Sequence, residues 1–489
     1  MHRSGRIDAV AGHACKVIHP FTAMVFAGDD VTDRLASSAD LSCEIEGDGS
    51  SNRRFACPGL FRIVPSRDGG ICRIKLPRGV VTSAQLRVIA TAADKFAGAV
   101  EATNRSNIQI RGVRAGCEDA LIAALVDAGL GPRTTGADDV RNVMVSPTAG
   151  LDAAAIVDVT PLADRILARL EAEARYHALS PKFSIQIDGG ESVAMLAHPN
   201  DIWFAAIDDA HFAFGFAGCL GERPVGLVAA PDVEAALFAL VDLFGAEIGK
   251  TNANGDKITR MRHLLVARHA QELASALPCP VDTITDWRRE LPMQLGHIGA
   301  REQTDGRFAM GAVPPLGRIE TSMLRGLADL ADLVSAGEIR MTPWQSVLLP
   351  NIVEDALMDA VVQLDDLGFI TQPDRTLAAT ITCAGSAGCK SGLADTKADA
   401  LSLADKIDGS GASVFGLHLT GCSKSCASPR PAPVTLLGIS PGHYDVFVRN
   451  DFCAQNEGQT AGFGKQIAAD LTIEQAATLL ADKSLRVPE

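Results

Sequence analysis

Apolar and polar residues alternate in short stretches that begin near position 59, and this alternation predicts strands on either side of a helix. Residues 71–76 alternate apolar with basic side chains, which is typical of a strand with one buried face, and the other face then presents Arg73 and Lys75. Thr82 and Gln85 form a capping-box signature before apolar residues at helical spacing. Residues 108–113 predict a second strand. The pattern indicates a small α+β module with basic residues on its strands.

The same arrangement returns 239 positions later, which indicates an internal duplication. Residues 342–349 occupy the place that 103–110 hold in the first copy, and a predicted helix precedes both. A longer α/β stretch follows each copy, opening at Arg141 in the first and at Thr380 in the second. The predicted order is therefore A–B–A′–B′, with a working cleft between two pseudo-twofold halves. Chance similarity between short segments is the alternative.

The duplicated plan divides the chain into an extension and four segments. Residues 1–52 are weakly patterned and end in a turn-rich run, so they are predicted to be an N-terminal extension of uncertain order. The predicted segments are 53–117 for A, 118–289 for B, 290–365 for A′ and 366–489 for B′.

Composition and charge exclude several classes of function. The chain has 489 residues, too many for a single core, and a formal net charge of −14, which argues against nucleic acid as a partner because phosphate binding requires a basic face. No stretch approaches the roughly 20 apolar residues of a membrane span. No secretory signal follows Arg3 and Arg6, so a cytoplasmic location is predicted. Twelve cysteines in so long a chain favour reduced thiols with one metal site over a disulfide scaffold.

Four cysteines near the C-terminus form the strongest chemical signal. They read C-x5-C, a gap of 32 residues and C-x3-C, with glycine, alanine and serine around them, at Cys383, Cys389, Cys422 and Cys426. Four thiolates can hold an iron–sulfur cluster or a tetrahedral zinc, but structural zinc pairs usually stand two to four residues apart. The spacing therefore favours a [4Fe–4S] cluster, with zinc and coincidental free thiols as alternatives.

Basic residues at equivalent points of the repeat form a second, weaker signal. A group of guanidiniums and ammoniums suits a ligand with several carboxylates, whereas each one alone is most often a solvated surface charge. The residues considered are Arg73, Lys75, Arg78, Arg105, Arg111, Arg141 and Lys182. No histidine pair has metal-ligand spacing, and His418 is the best single candidate, although each histidine is expected to have ordinary hydrogen-bond partners. No dinucleotide-binding fingerprint follows a strand.

The duplicated plan and the C-x5-C and C-x3-C motifs resemble the sirohaem-dependent nitrite and sulfite reductases over nearly all of residues 55–450. Within that superfamily, residues 56–64 and 68–77 resemble the precorrin-3B synthases, and so does Lys424, where reductases usually carry Asn. The resemblance implies an α+β fold, internally duplicated, with two ferredoxin-like half-domains and two larger α/β domains. It also implies that the four cysteines ligate the cluster.

The same resemblance suggests roles for basic residues. Arg105 and Arg141 match arginines that reductases direct at sirohaem and its anion, and Lys182 matches the first of two lysines around sulfite. The second lysine is Ser184 here, which weakens the reductase interpretation because reduction of an anion needs paired positive charge. Ser423 and Ser106 depart from the synthase pattern, in which Pro and Gln are usual. Arg73 and Lys75 complete the expected group of tetrapyrrole-binding residues.

The function that the resemblance implies is oxygen-dependent conversion of precorrin-3A to precorrin-3B in aerobic cobalamin biosynthesis. This reaction comprises C20 hydroxylation and lactone formation from the ring-A acetate, with NADH as the ultimate electron source, through a partner reductase. Neighbouring methyltransferases of the cobalamin pathway are further expected partners. No catalytic residue is assigned. One alternative is a nitrite or sulfite reductase with sirohaem as an additional cofactor, and the other is a zinc-stabilised binding protein without catalytic activity.

Overall fold

Four five-stranded sheets organise the part of the chain that this computed structural model describes. The described residues are 57–132, 134–284, 286–412, 414–428, 432–449 and 463–482, and the predicted extension 1–52 lies outside them. Among the helices of these ranges, none has both the length and the apolar character needed to cross a bilayer.

The first sheet belongs to half-domain A and follows the predicted strand–helix–strand pattern. Thr82 caps the helix, since its hydroxyl accepts a hydrogen bond from the Gln85 amide and the Gln85 side chain accepts one from the Thr82 amide. Strands β1, β2, β5 and β4 are neighbours in that order, all antiparallel. The elements are β1 (Val64–Ser66), β2 (Gly69–Ile74), β3 (Val80–Thr82), α1 (Ser83–Phe96), β4 (Ala99–Ala102), β5 (Ile108–Val113) and α2 (Glu118–Asp127).

Domain B follows with a mixed sheet in the order β10-β9-β8-β7-β6. The pairs β6–β7 and β7–β8 are parallel, while β8–β9 and β9–β10 are antiparallel. Its elements are β6 (Val143–Met144), α3 (Thr160–Ala172), β7 (Ile185–Asp188), β8 (Asn200–Ala206), β9 (His211–Gly218), β10 (Gly226–Ala229), α4 (Val233–Gly245), α5 (Met261–Leu264) and α6 (Ala270–Ser275).

Half-domain A′ repeats A, and the two exchange one strand each. Strand β3 of A pairs with β14 of A′, and β13 of A′ pairs with β4 of A, so each half completes the sheet of the other. Helices α1 and α7 lie over one hydrophobic core that both halves share. The elements of A′ are β11 (Gly299–Glu302), β12 (Phe308–Ala312), β13 (Arg318–Ile319), α7 (Thr321–Val334), β14 (Glu338–Met341), β15 (Val347–Ile352) and α8 (Glu354–Asp366).

Domain B′ has the strand order and directions of domain B. Strands β16, β17 and β18 are parallel neighbours, and β19 and β20 continue the sheet in antiparallel directions. Its elements are β16 (Ile381–Thr382), α9 (Gly385–Gly388), α10 (Thr396–Gly409), β17 (Leu417–Thr420), β18 (Val434–Ser440), β19 (His443–Val448), β20 (Lys465–Thr472) and α11 (Ile473–Ala481).

Two equivalent turns confirm the predicted internal duplication at atomic detail. The Thr103 amide donates to the Asn107 carbonyl at 2.9 Å, and the Thr342 amide donates to the Ser346 carbonyl at the same distance. In both turns the fourth residue, Ser106 in A and Gln345 in A′, has a positive φ, of 56° and 60°. The offset of 239 positions read from the sequence therefore aligns the two copies correctly.

One local expectation in half-domain A was wrong. The alternation over 71–76 predicts a strand whose second face presents Arg73 and Lys75, but β2 ends at Ile74, and only 3% of Lys75 is exposed because its ammonium contacts Asp138 of domain B. The buried positive charge of Lys75 is compensated by two groups of domain B. The Asp138 carbonyl lies 2.6 Å from Nζ, and the Asp139 carboxylate lies 3.7 Å from it.

Candidate functional site

The four cysteines of the motif lie in two loops at one edge of the B′ sheet. Cys383 directly follows β16, and Cys422 follows β17 after one glycine. Because β16 and β17 are parallel neighbours, with Thr382 opposite Leu419, their carboxyl ends meet at the same edge. Cys389 ends the helical turn α9, and Cys426 follows the loop after Cys422.

Backbone amides point at one of these sulfurs. The amides of Gly385 and Gly421 lie 3.4 and 3.3 Å from Sγ of Cys383. A Cβ on Gly385 would stand 2.6 Å from the Thr396 amide nitrogen, so only glycine permits this close packing. Such amide donors stabilise thiolate charge and are the kind of support that metal-bound sulfur receives.

The four thiols are close enough to act on one another electrostatically. Burial raises the pKa of the Cys426 thiol, and the charges of Cys422, Cys383 and Cys389 raise it further. Among the described residues, no three His, Cys, Asp or Glu side chains are near enough to share one metal ion. Four thiol donors, two amides directed at sulfur and glycines without side chains fit a [4Fe–4S] cluster, which these cysteines could hold.

Half-domain A holds both cysteine loops. The Gly388 carbonyl, next to Cys389, accepts hydrogen bonds from the Ser66 hydroxyl at 2.6 Å and from Arg111 at 2.9 Å. Asn104 donates from Nδ2 to the Ala427 carbonyl, next to Cys426, at 3.0 Å. The Cys426 loop is therefore tied to the turn that carries Arg105, and the Cys389 loop is tied to β1 and β5.

A small cleft lies between half-domain A and domain B, beside that turn. It is lined by Leu76, Arg78, Gly79, Arg105, Ser106, Asn107 and Arg141 to Val145. Of the predicted tetrapyrrole-binding residues, Arg105 and Arg141 are thus brought together in one cavity. Arg78, which was one of the basic residues considered from the sequence but was not among the predicted tetrapyrrole-binding residues, joins them.

Arg105 is held by domain B. Its Nη1 donates to Oδ1 of Asn200 at 2.6 Å, and its Nη2 donates to the Pro199 carbonyl at 2.7 Å. Burial lowers the pKa of Arg105 to about 10, and the nearby Arg260 cation also lowers it. The guanidinium remains charged at neutral pH, and neutral oxygens, rather than a carboxylate, satisfy it. It therefore keeps most of its attraction for an anion in the cleft.

Arg141 has an acidic partner. Its Nε lies 3.0 Å from Oε1 of Glu171, and its Nη1 donates to the Leu130 carbonyl at 3.3 Å. Burial lowers the pKa of Arg141, while Glu171 opposes that change. The ion pair ties Arg141, which lies two residues before β6, to helix α3.

The other three predicted residues lie outside the cleft lining. Lys75 and Arg73 lie deeper, and burial lowers the pKa of both. Arg73 donates to Oε1 of Gln109 at 3.2 Å, while its Nε has no hydrogen-bond partner in the described part of the chain. Lys182 is exposed. Ser184, two positions on, is buried, and no described residue is hydrogen-bonded to its hydroxyl.

His418 departs from the expectation of ordinary partners. It is fully buried on β17, and neither ring nitrogen has a hydrogen-bond partner among the described residues. Burial lowers the pKa of His418 to about 4, so the imidazole is neutral at pH 7. The sequence carried no sign of this, because the strands beside it are distant in the chain.

Domain B carries a buried acidic network where B′ carries its cysteines. Asp188 ends β7, as Thr420 ends β17, and it pairs with Arg289 at 2.6 Å. Glu191 follows three positions later and is completely buried. Burial, together with the Asp188 charge, raises the pKa of Glu191 to about 8. At the corresponding edge of the sheet, domain B thus carries carboxylates and domain B′ carries thiols.

Two protein families match the chain. The family "Nitrite/Sulfite reductase ferredoxin-like half domain" matches residues 64–128 and 301–366, which are the A and A′ sheets. The family "Nitrite and sulphite reductase 4Fe-4S domain" matches residues 136–277 in domain B. Its match therefore falls on the copy without the four cysteines.

Named relatives point to the same group. A ferredoxin–nitrite reductase of Synechococcus elongatus is 27% identical over 83% of this chain and 84% of its own. The chloroplastic ferredoxin–nitrite reductase of Betula pendula is 29% identical over 90% of this chain and 77% of its own. A precorrin-3B synthase of a Sinorhizobium species is 27% identical over 84% of this chain and 87% of its own.

A solved structure shares the fold. The structure of the NirA protein of Mycobacterium tuberculosis matches with a TM-score of 0.68 and 21% identity, over 84% of this chain and 79% of that one. The two matching families agree with this likeness. The chain is an oxidoreductase-type protein that belongs to the superfamily of sirohaem-dependent nitrite and sulfite reductases.

Proposed function

We propose that this chain is an oxygen-dependent monooxygenase that converts precorrin-3A to precorrin-3B. One oxygen atom of O2 enters the substrate at C20 and the other leaves as water, while NADH supplies two electrons through a partner reductase. The ring-A acetate then closes the lactone. The observation that carries the proposal is the cleft that places Arg105 and Arg141 together beside the turn tied to the Cys426 loop.

The proposed substrate suits the cations of the cleft. A tetrapyrrole with carboxylates at its rim presents anions in several directions, and arginine pairs with carboxylate through two parallel hydrogen bonds. Arg105, whose present partners are neutral oxygens, and Arg141, in competition with Glu171, would bind such carboxylates. Arg73 and Lys75, which lie behind the lining, would add positive potential to it, and Lys182 would contact the ligand from the exposed side.

The four motif cysteines form the second part of the proposed site. Cys383, Cys389, Cys422 and Cys426 would hold a [4Fe–4S] cluster, which when bound supplies single electrons. The link from Asn104 to Ala427 would keep the cluster loop and the Arg105 turn at a constant separation. Ser184 supports a monooxygenase over an anion reductase, since its buried hydroxyl provides no positive charge for a small anion.

A second candidate function is reduction of nitrite or sulfite with sirohaem. The Synechococcus and Betula relatives, which are named ferredoxin–nitrite reductases, favour it. Under this candidate the same cleft would hold sirohaem and its anion.

One experiment separates the candidates. Purified protein with a reconstituted cluster would be incubated with precorrin-3A, a reducing system and isotopically labelled O2, and the product analysed by mass spectrometry. Incorporation of one labelled oxygen atom supports the monooxygenase. Absorption bands of sirohaem in the protein as isolated, together with nitrite or sulfite reduction and no labelled product, would establish the reductase instead.

A further inference from the structure

Arg78 sits in a backbone conformation that arginine seldom adopts. It occupies the centre of the turn Pro77–Gly79 with φ 54° and ψ 17°, in the left-handed region that favours glycine. The turn is rigidly placed, since the Gly79 amide donates to the Leu76 carbonyl at 3.0 Å and the Leu76 amide donates to Oδ1 of Asn107 at 2.8 Å. The second of these bonds connects it to the turn that carries Arg105.

The other half of the molecule shows which part of this turn is structural. The equivalent turn Pro315–Gly317 has Leu316 at its centre, with φ 55° and ψ 29°. The backbone conformation is therefore common to both copies and does not require a cation. Leu316 is buried and packs into the core of domain B′, whereas Arg78 lines the cleft between A and B. The arginine side chain is the feature that differs between the two copies.

The partner of Arg78 is one that a ligand could replace. Its Nε donates to Oδ1 of Asp164 on α3 at 2.7 Å, and 52% of the Asp164 side chain is exposed. An ion pair so open to water contributes little to stability. The Nη groups of Arg78 make no hydrogen bond with any residue that the structure describes, whereas both Nη groups of Arg105 are engaged.

From this geometry we propose that Arg78 binds a carboxylate at the rim of the tetrapyrrole through its two Nη groups. The inference rests on the proposed function of the cleft and adds to it a residue that determines specificity. A rim carboxylate, rather than a small inorganic anion, is the ligand because Arg78 stands at the partly exposed edge of the cleft, on a turn fixed relative to Arg105. Arg105 and Arg78 then bind different carboxylates of one ligand.

The test measures binding of uroporphyrin III, a tetrapyrrole with carboxylates around its rim, by quenching of its fluorescence. Arg78→Gly should weaken binding roughly tenfold or more, the loss expected for a charge-assisted pair. The same variant should unfold at an equal or higher temperature, because glycine accepts the positive φ. Arg78→Lys should keep part of the affinity, since lysine keeps the charge but loses the two-pronged contact.

Two further variants act as controls. Arg165→Ala removes an exposed cation from the same helix as Asp164 and should leave binding unchanged. Asp164→Asn should tighten binding in the otherwise unchanged protein and have no effect in the Arg78→Gly background, because it removes the competitor of the ligand for Arg78.

The outcomes separate the inference from the function it rests on. If the unaltered protein binds uroporphyrin III and Arg78→Gly binds it equally well, the role of Arg78 is refuted while the proposed function stands. If the unaltered protein does not bind the tetrapyrrole, the role of Arg78 and the proposed function of the cleft are both refuted. If Arg78→Gly weakens binding of sulfite or nitrite but not of uroporphyrin III, the ligand of Arg78 is a small anion and the inference is overturned.

Discussion

Asn104 donates a hydrogen bond of 3.0 Å from its side chain to the carbonyl of Ala427, 323 positions further along the chain. Asn104 precedes Arg105, and Ala427 follows Cys426, so one bond joins the turn with the cleft arginine to the loop with the last motif cysteine. A second bond from the same half-domain, from Arg111 to the Gly388 carbonyl, holds the other cysteine loop. Half-domain A thus positions both elements of the proposed site.

Asn104→Ala should loosen the Cys426 loop. The variant leaves a carbonyl without its donor, and the loss is expected to be about 1 kcal/mol of unfolding free energy, the usual net value of one hydrogen bond. We expect the reconstituted cluster to be lost to an iron chelator faster than in the unaltered protein, measured as the decay of its absorption. Equal decay rates would show that the bond does not hold the loop.

Cys422→Ser should abolish cluster binding, since it replaces one of four thiolates by a poor ligand for iron. Iron and labile sulfide in the reconstituted protein should fall close to zero. Cys117→Ser is the matched control, because Cys117 is also a free cysteine with intermediate burial but lies outside the motif. A full complement of iron and sulfide in Cys422→Ser would refute the ligand assignment.

Arg105→Ala should weaken binding of the tetrapyrrole while leaving the cluster in place. The expected loss is about tenfold to a hundredfold in affinity, since a hydrogen bond between charged groups contributes about 1.5–3 kcal/mol. Titration with uroporphyrin III and iron analysis of the same preparation provide the two measurements. Unchanged affinity would place Arg105 outside the ligand-binding surface.

Glu191→Gln should remove a pH dependence of stability. The pKa of Glu191 is raised from 4.5 to about 8, mainly by burial, so the folded state holds a proton that the unfolded state releases above pH 4.5. The stabilising contribution of the neutral carboxyl is complete below pH 4.5, declines as pH rises and is lost above about pH 8. Each unit of pKa difference corresponds to about 1.4 kcal/mol.

The measurement for Glu191 is urea unfolding at several pH values. The stability of Glu191→Gln relative to the unaltered protein should rise between pH 4.5 and pH 8 and then stay level. Glu290→Gln, at an exposed neighbouring position, should show no such trend. A constant difference across this range would mean that Glu191 is already ionised in the folded protein.

Ser184→Ala should be neutral or stabilising. The Ser184 hydroxyl is buried and has no hydrogen-bond partner among the described residues, so its removal relieves an uncompensated polar group, by up to about 1 kcal/mol. Ser146→Ala is the contrasting variant, because the Ser146 hydroxyl donates to the Val193 carbonyl at 2.5 Å and its loss should destabilise the fold. Thermal unfolding of both variants checks the prediction, and destabilisation of equal size would contradict it.

Several features could be predicted from the sequence because they depend on residues close together in the chain. The capping box at Thr82 and Gln85 and the strand Ile108–Val113 appear in the structure as predicted. The duplication was also readable, since the 239-residue offset compares one local pattern with another. The spacing of the four cysteines predicts a cluster for the same reason, and that prediction awaits the metal analysis.

Other features were decided by contacts between residues far apart in the chain, for which no local pattern exists. No sequence pattern predicts the exchange of β3 and β13 between the half-domains. Each strand makes its backbone hydrogen bonds with the sheet of the other copy, which is distant in the chain. Lys75 continues the alternation like a surface residue but is buried, because its ammonium contacts Asp138 of domain B. The sequence by itself determined the helices and strands and the types of side chain available for binding. Tertiary packing decided that Arg78, Arg105 and Arg141 line one cleft, because burial and distance arise only when separate domains meet.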